Sequence, residues 1–104
     1  ALFQIRWMNE QRETGLPYDL EVHFYDEEKQ ITNLVYVEVK ATLKDKKAGF
    51  LISANEVKFA MDLKDNYHLY RVFNAGNTES VRLTKLENLA LHLSEGAIKL
   101  FMVV

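Results

Sequence analysis

"YVEVKAT", residues 36–42, is the stretch on which the fold turns. With its flanks it alternates over 34–41: Val35, Val37, Val39 and Ala41 point one way, Leu34, Tyr36, Glu38 and Lys40 the other. Successive side chains of a strand face opposite sides, so this period of two predicts a strand. Glu38 and Lys40 then share a face, away from the valines.

Upstream, residues 18–25 alternate as cleanly, with Leu20, Val22 and Phe24 opposed to Asp19, Glu21, His23 and Tyr25. The polar "DEEKQITN" (26–33) between the two runs reads as the exposed end of a hairpin. Asp19 then joins Glu38 and Lys40 on the polar face. A symmetric turn pairs Asp19 with Lys40, and a slip of two pairs it with Glu38. Either register keeps Asp19 close to both, because opposite and diagonal neighbours on one face lie ~4.5 to 8 Å apart.

Working outward, residues 2–8 alternate as a first strand, and "NEQRETGLP" (9–17) is a loop ending in Gly15 and Pro17. "LKDKKAG" (43–49) is a second loop and "FLI" (50–52) a short strand. Ser53 and Glu56 have capping-box spacing, and Val57, Phe59, Ala60, Met61 and Leu63 give the following helix its apolar face. "YHLYRVF" (67–73) carries the aromatic and β-branched residues that strands favour. Thr84 and Glu87 repeat the capping-box spacing before Leu89, Ala90 and Leu93, and Gly96 ends that second helix. "AIKLFMVV" (97–104) reads as a last strand. The expected fold class is α/β, a small mixed sheet with flanking helices.

Composition narrows the function. At 104 residues, 48% apolar and 27% charged, one globular domain over 1–104 is expected. The chain has no cysteine, which excludes disulfides and thiolate metal sites and fits a reducing, intracellular compartment, the nucleus included. No apolar run approaches the eighteen or so residues a membrane-spanning helix needs. With 13 basic and 15 acidic residues, contact with nucleic acid has to rest on a local patch. Lys44, Lys46 and Lys47 are that patch, diluted by Asp45. No serine or cysteine triad, glycine-rich phosphate loop or zinc site is legible.

Two carboxylates on one face repel unless a cation sits between them. Mg²⁺ is the natural candidate, since hard cations take carboxylate and carbonyl oxygens. A lysine beside it can orient a water and stabilise charge on a phosphate in flight. The bland alternative is a solvated sheet face with a cross-strand ion pair, worth under ~1 kcal/mol. Likewise Glu56 reads as a helix cap, and His23 has no second histidine for a metal.

Asp19, Glu38 and Lys40 resemble the motif of the PD-(D/E)xK nucleases, which have a restriction-endonuclease-like fold. The resemblance implies metal-binding acids at Asp19 and Glu38, a further ligand in the Val39 carbonyl and the catalytic lysine at Lys40. One departure is Pro17-Tyr18-Asp19 in place of a direct Pro-Asp. The blocks "RWMNEQRETGLPYDLEV", "VYVEVKAT", "FLISANEVKFA" and "YHLYRVFN" also resemble the C-terminal domain of the plant NO VEIN family, from about Arg6 to the end. That domain has no assigned function and occurs in bacterial and other eukaryotic proteins too. It implies a nuclease-like fold at the tail of a larger protein, so further domains of the parent are expected partners. The chain begins at the strand after the acid-bearing helix with which nuclease-like domains usually start. Two functions stay open: Mg²⁺-dependent hydrolysis of nucleic acid, or non-catalytic docking of nucleic acid or protein.

Overall fold

The computed structural model of the protein describes residues 2–8, 15–46 and 49–101, with Leu2 and Phe3 as backbone only. The two alternating runs form a hairpin. β2 (Leu20–Asp26) and β3 (Ile31–Ala41) pair antiparallel, Leu20 against Val37 and Asp26 against Ile31. Asp26 Oδ1 accepts the N–H groups of Glu28 and Lys29, at 3.1 and 3.3 Å. That side chain satisfies the turn's amides, so the turn closes within 27–30 and β3 starts three residues earlier than 34.

β1 (Leu2–Trp7) lies antiparallel on the outer edge of β2, Trp7 against Leu20. Beyond β3, helix α1 (Ala54–Leu63) and a 3₁₀ turn carry the chain over to β4 (Tyr67–Phe73), which runs parallel to β3. A parallel neighbour needs such a crossover. β5 (Arg82–Leu86) returns antiparallel to β4, and α2 (Leu89–Ser94) follows. The result is an α/β fold with a five-stranded mixed sheet in the order β1-β2-β3-β4-β5 and two described helices.

α1 forms where its cap specifies. Ser53 Oγ accepts the Glu56 N–H at 3.1 Å, and Glu56 Oε1 accepts the Ser53 N–H at 2.8 Å. Its apolar stripe then has to choose a sheet face, and β4 settles the choice. Along β4 the residues Tyr67, Leu69, Arg71 and Phe73 are buried while those between are only partly so. The parallel register sets Tyr36 beside Tyr67, Glu38 beside Leu69 and Lys40 beside Arg71. The helices therefore cover the Tyr36–Glu38–Lys40 face, opposite to the valine face. Tyr18, Ala60, Tyr67, Leu69 and Leu89 form the core there, with Tyr36, Phe59 and Leu63 packed around them. Aromatic rings interlock it: the Tyr18–Tyr36 and Tyr18–Phe59 centroids lie 4.6 and 5.6 Å apart.

Three expected elements differ. Residues 50–52 join no ladder; Phe50 instead lies against the Arg71 guanidinium, 4.9 Å from ring centroid to carbon, and Ile52 packs on the core. Thr84 caps nothing, because it sits inside β5 opposite Arg71. Strand pairing already engages the backbone that a helix there would need. Asn88 is the cap of α2, its Oδ1 accepting the Leu91 N–H at 3.0 Å. Residues 97–101 are not a strand, and 102–104 lie outside the described residues.

Candidate functional site

Asp19 stands at the entrance to β2, fixed by its backbone and its side chain together. Its N–H donates to the Val37 carbonyl at 2.8 Å, and its Oδ2 accepts the Val39 N–H at 2.9 Å. Asp19 thus sits beside Val37–Glu38–Val39, nearer the slipped register than the symmetric one. Tyr67 closes the floor, its hydroxyl donating to the Pro17 carbonyl at 2.6 Å. Within a strand the N–H and C=O of a residue point to one side, so the Val39 carbonyl faces the same edge as Asp19.

Glu38 is 8% exposed, with the carboxyl groups of Asp19 and Glu56 as its neighbours. The reading of this face as a solvated surface with an ion pair is therefore corrected: α1 lies over it. Burial first, then the hydrogen-bonding pull and negative charge of these two neighbours, pushes the Glu38 carboxyl up to about 9. At neutral pH it holds a proton. Lys40 Nζ lies 3.4 Å from Glu38 Oε2 and 3.0 Å from Glu56 Oε2. With Glu38 protonated, the ion pair proper is Lys40–Glu56. Burial alone raises the Glu56 carboxyl, but bonds from Glu38, the Ser53 N–H and Lys40 outweigh it and hold Glu56 below the usual range.

A cleft of about 350 Å³ opens over this group, lined by Gly15, Leu16, Pro17, Asp19, Glu38, Lys40, Ser53, Asn55 and Glu56. It can admit a small ion and a polar ligand. Asp19, Glu38 and the Val39 carbonyl are hard oxygen donors and fit Mg²⁺ by chemistry. Among the described residues no three His, Cys, Asp or Glu side chains are arranged to hold an ion together, so water or a ligand has to complete any coordination shell. Glu38 has to lose its proton first.

The structure brings Asp19, Glu38 and Lys40 together and adds Glu56, which the capping-box spacing alone had explained. Its contact with Lys40 was not legible in the sequence, because alternation does not say which sheet face the helix from Ser53 crosses. His23 shares that face but turns to Glu21, 3.3 Å away, where Tyr18 and Arg6 also converge. Lys44 and Lys46 are exposed on a loop docked against the β4–β5 turn, with Asn74 N–H donating to the Lys44 carbonyl at 2.9 Å. Arg82 joins them, stacked over Phe73 at 4.5 Å and donating to the Asp45 carbonyl at 2.6 Å. Lys47 lies outside the described residues.

Comparison with known proteins adds the lineage. Residues 2–85 match the family described as Protein NO VEIN, C-terminal. Protein NO VEIN-LIKE of Arabidopsis thaliana is 36% identical over 100 residues, which are 96% of this chain and 14% of that protein. Protein NO VEIN of the same plant is 34% identical over 100 residues, again 96% of this chain but 3% of that protein. The chain thus spans a small part of relatives that carry much further polypeptide. With its match running from β1 into β5, this chain belongs to the NO VEIN C-terminal domain family.

Proposed function

We propose that the cleft is the metal-dependent site of a phosphodiesterase acting on nucleic acid, on a scaffold of restriction-endonuclease-like type. One observation carries this reading: Asp19, at the entrance to β2, and Glu38 of β3 stand side by side in the lining of one open cleft, with Lys40 beside them. Like carboxyl groups in contact are unfavourable unless a proton or a cation joins them. Asp19, Glu38 and the Val39 carbonyl would hold Mg²⁺ or Mn²⁺. When bound, the ion supplies Lewis-acid polarisation of a phosphate oxygen and a more acidic water. Lys40 would orient an attacking water and stabilise charge gathering on the phosphate. Water oxygen would bond to phosphorus as one P–O ester bond breaks, with the attacking water giving a proton to solvent and the departing oxygen taking one from it. Lys44, Lys46 and Lys47, with Arg82, contact phosphates and position the strand without reading its sequence.

A second reading is a docking module for nucleic acid or protein within a larger chain. The absence of a three-acid cluster among the described residues favours it, as does the acidic balance of 15 to 13. A cleavage assay separates the two, using plasmid, single-stranded DNA and RNA with Mg²⁺ or Mn²⁺ at low salt. Cleavage that falls about 100-fold or more in Lys40→Ala supports the enzyme, since one lost electrostatic stabiliser costs on that order. Wild type that cuts none of the three leaves the docking reading standing.

A further inference from the structure

We infer that Glu56 is the positioning residue for Lys40: anchored by the helix cap, its carboxylate fixes the lysine ammonium at the mouth of the Asp19–Glu38 pair. The inference rests on the phosphodiesterase reading for its purpose, though not for its geometry. Lys40 Nζ lies 3.1 Å from Glu56 Oε1 and 3.0 Å from Oε2, so both oxygens are engaged. Glu56 is 6% exposed, and its Oε1 also accepts the Ser53 N–H.

A cap does not explain that charge. At this third helical position glutamine closes a capping box as well as glutamate does. Burying an ionised carboxylate is costly unless it is paired, and Lys40 is its charged partner. The lysine gains equally, because a four-carbon stem otherwise leaves its ammonium free to wander. A reacting group has to be held within about 0.5 Å of its working geometry. Lys40 meets Glu38 through Oε2 alone, at 3.4 Å, but engages both oxygens of Glu56 more closely, so Asp19 and Glu38 are the acids that would take a cation. The three acids then divide the work: two face the cation and one holds the lysine.

Two variants of the whole chain separate cap from positioning. Glu56→Gln keeps the cap and removes the charge; Ser53→Ala weakens the cap and keeps the Lys40–Glu56 pair. The readouts are the acylation rate of the Lys40 amine, followed by mass spectrometry of its peptide, and the melting temperature. Glu56→Gln should raise Lys40 labelling about tenfold with helix content unchanged, the factor expected for one lost hydrogen bond to a charged group. Ser53→Ala should lower the melting temperature by about 4 °C or more while labelling stays within about twofold of wild type. Unchanged labelling in Glu56→Gln, or an equal rise in Ser53→Ala, overturns the inference. Should Glu56→Gln not fold, the ammonium protons of Lys40 in wild type decide: exchange with solvent as fast as at exposed Lys44 overturns it, and slower exchange supports it. If wild type also cleaves nucleic acid, Glu56→Gln should lose cleavage while its metal-dependent rise in melting temperature persists. Absence of cleavage in wild type sinks the phosphodiesterase reading alone, since the labelling contrast is read without it.

Discussion

Glu38 couples the stability of the whole fold to pH. Its folded value, about 9, lies above the 4.5 of an ordinary glutamate. Below 4.5 both folded and unfolded chains hold the proton, and the residue adds no slope. Between 4.5 and 9 only the folded chain holds it, so stability falls as pH rises, by at most about 1.4 kcal/mol per pH unit. Above 9 the loss levels off. Glu56, held below its usual value, works the other way and in acid: its contribution is lost as pH falls through that lowered value. Glu38→Gln should therefore raise the melting temperature at pH 8 by more than at pH 5 and flatten the profile between them. Equal gains at both pH values would mean that the buried carboxyl is not what sets the slope.

Elements built on strong local signals were legible, and those resting on one weak signal were not. The hairpin was readable because 18–25 and 34–41 alternate without a break, and α1 because its capping box precedes an apolar stripe. The box at Thr84 has the same spacing, yet residues 82–86 are claimed by the edge of β4. A spacing motif cannot report that a neighbouring strand offers its backbone a ladder. Asn88→Ala should accordingly cost about 1 kcal/mol in denaturant unfolding, and Thr84→Ala clearly less, since Thr84 caps no helix. Reversed magnitudes would restore the longer second helix. The candidate site was half legible for a related reason. Strand parity gathers Asp19, Glu38 and Lys40 from two strands, but Glu56 arrives on a crossover helix whose sheet face alternation does not specify.

At the scale of the molecule, the face was the larger surprise. Alternation treats the valine side of β3 as the interior, and Val37 is indeed 1% exposed there. The helices nonetheless pack on the other side, where a row of tyrosines and Leu69 outweighs ionisable groups that include Asp19, Glu38, Lys40 and Arg71. Of the valine side's neighbours, Ile5 and Trp7 remain 56% and 57% exposed, and no described helix covers them. The radius of gyration is 15.0 Å, above the roughly 13 Å of a compact chain this long, as suits a helix layer on one side of a sheet. Stability should be distributed accordingly. Leu69→Ala, in the sealed core, should cost about 3 kcal/mol, and Trp7→Ser under about 1 kcal/mol. Comparable losses from the two in urea titration would mean that the valine face is the main core after all.

The central claim is that Asp19 and Glu38 stand together to hold a divalent cation, and thermal unfolding tests it most directly. A ligand of the folded state raises the melting temperature by mass action. Millimolar Mg²⁺ or Mn²⁺ should therefore raise it for wild type, while Glu38→Ala, folded and stable without metal, should show no rise. A wild-type chain whose melting temperature ignores both ions, or a Glu38→Ala chain that responds as wild type does, contradicts the claim.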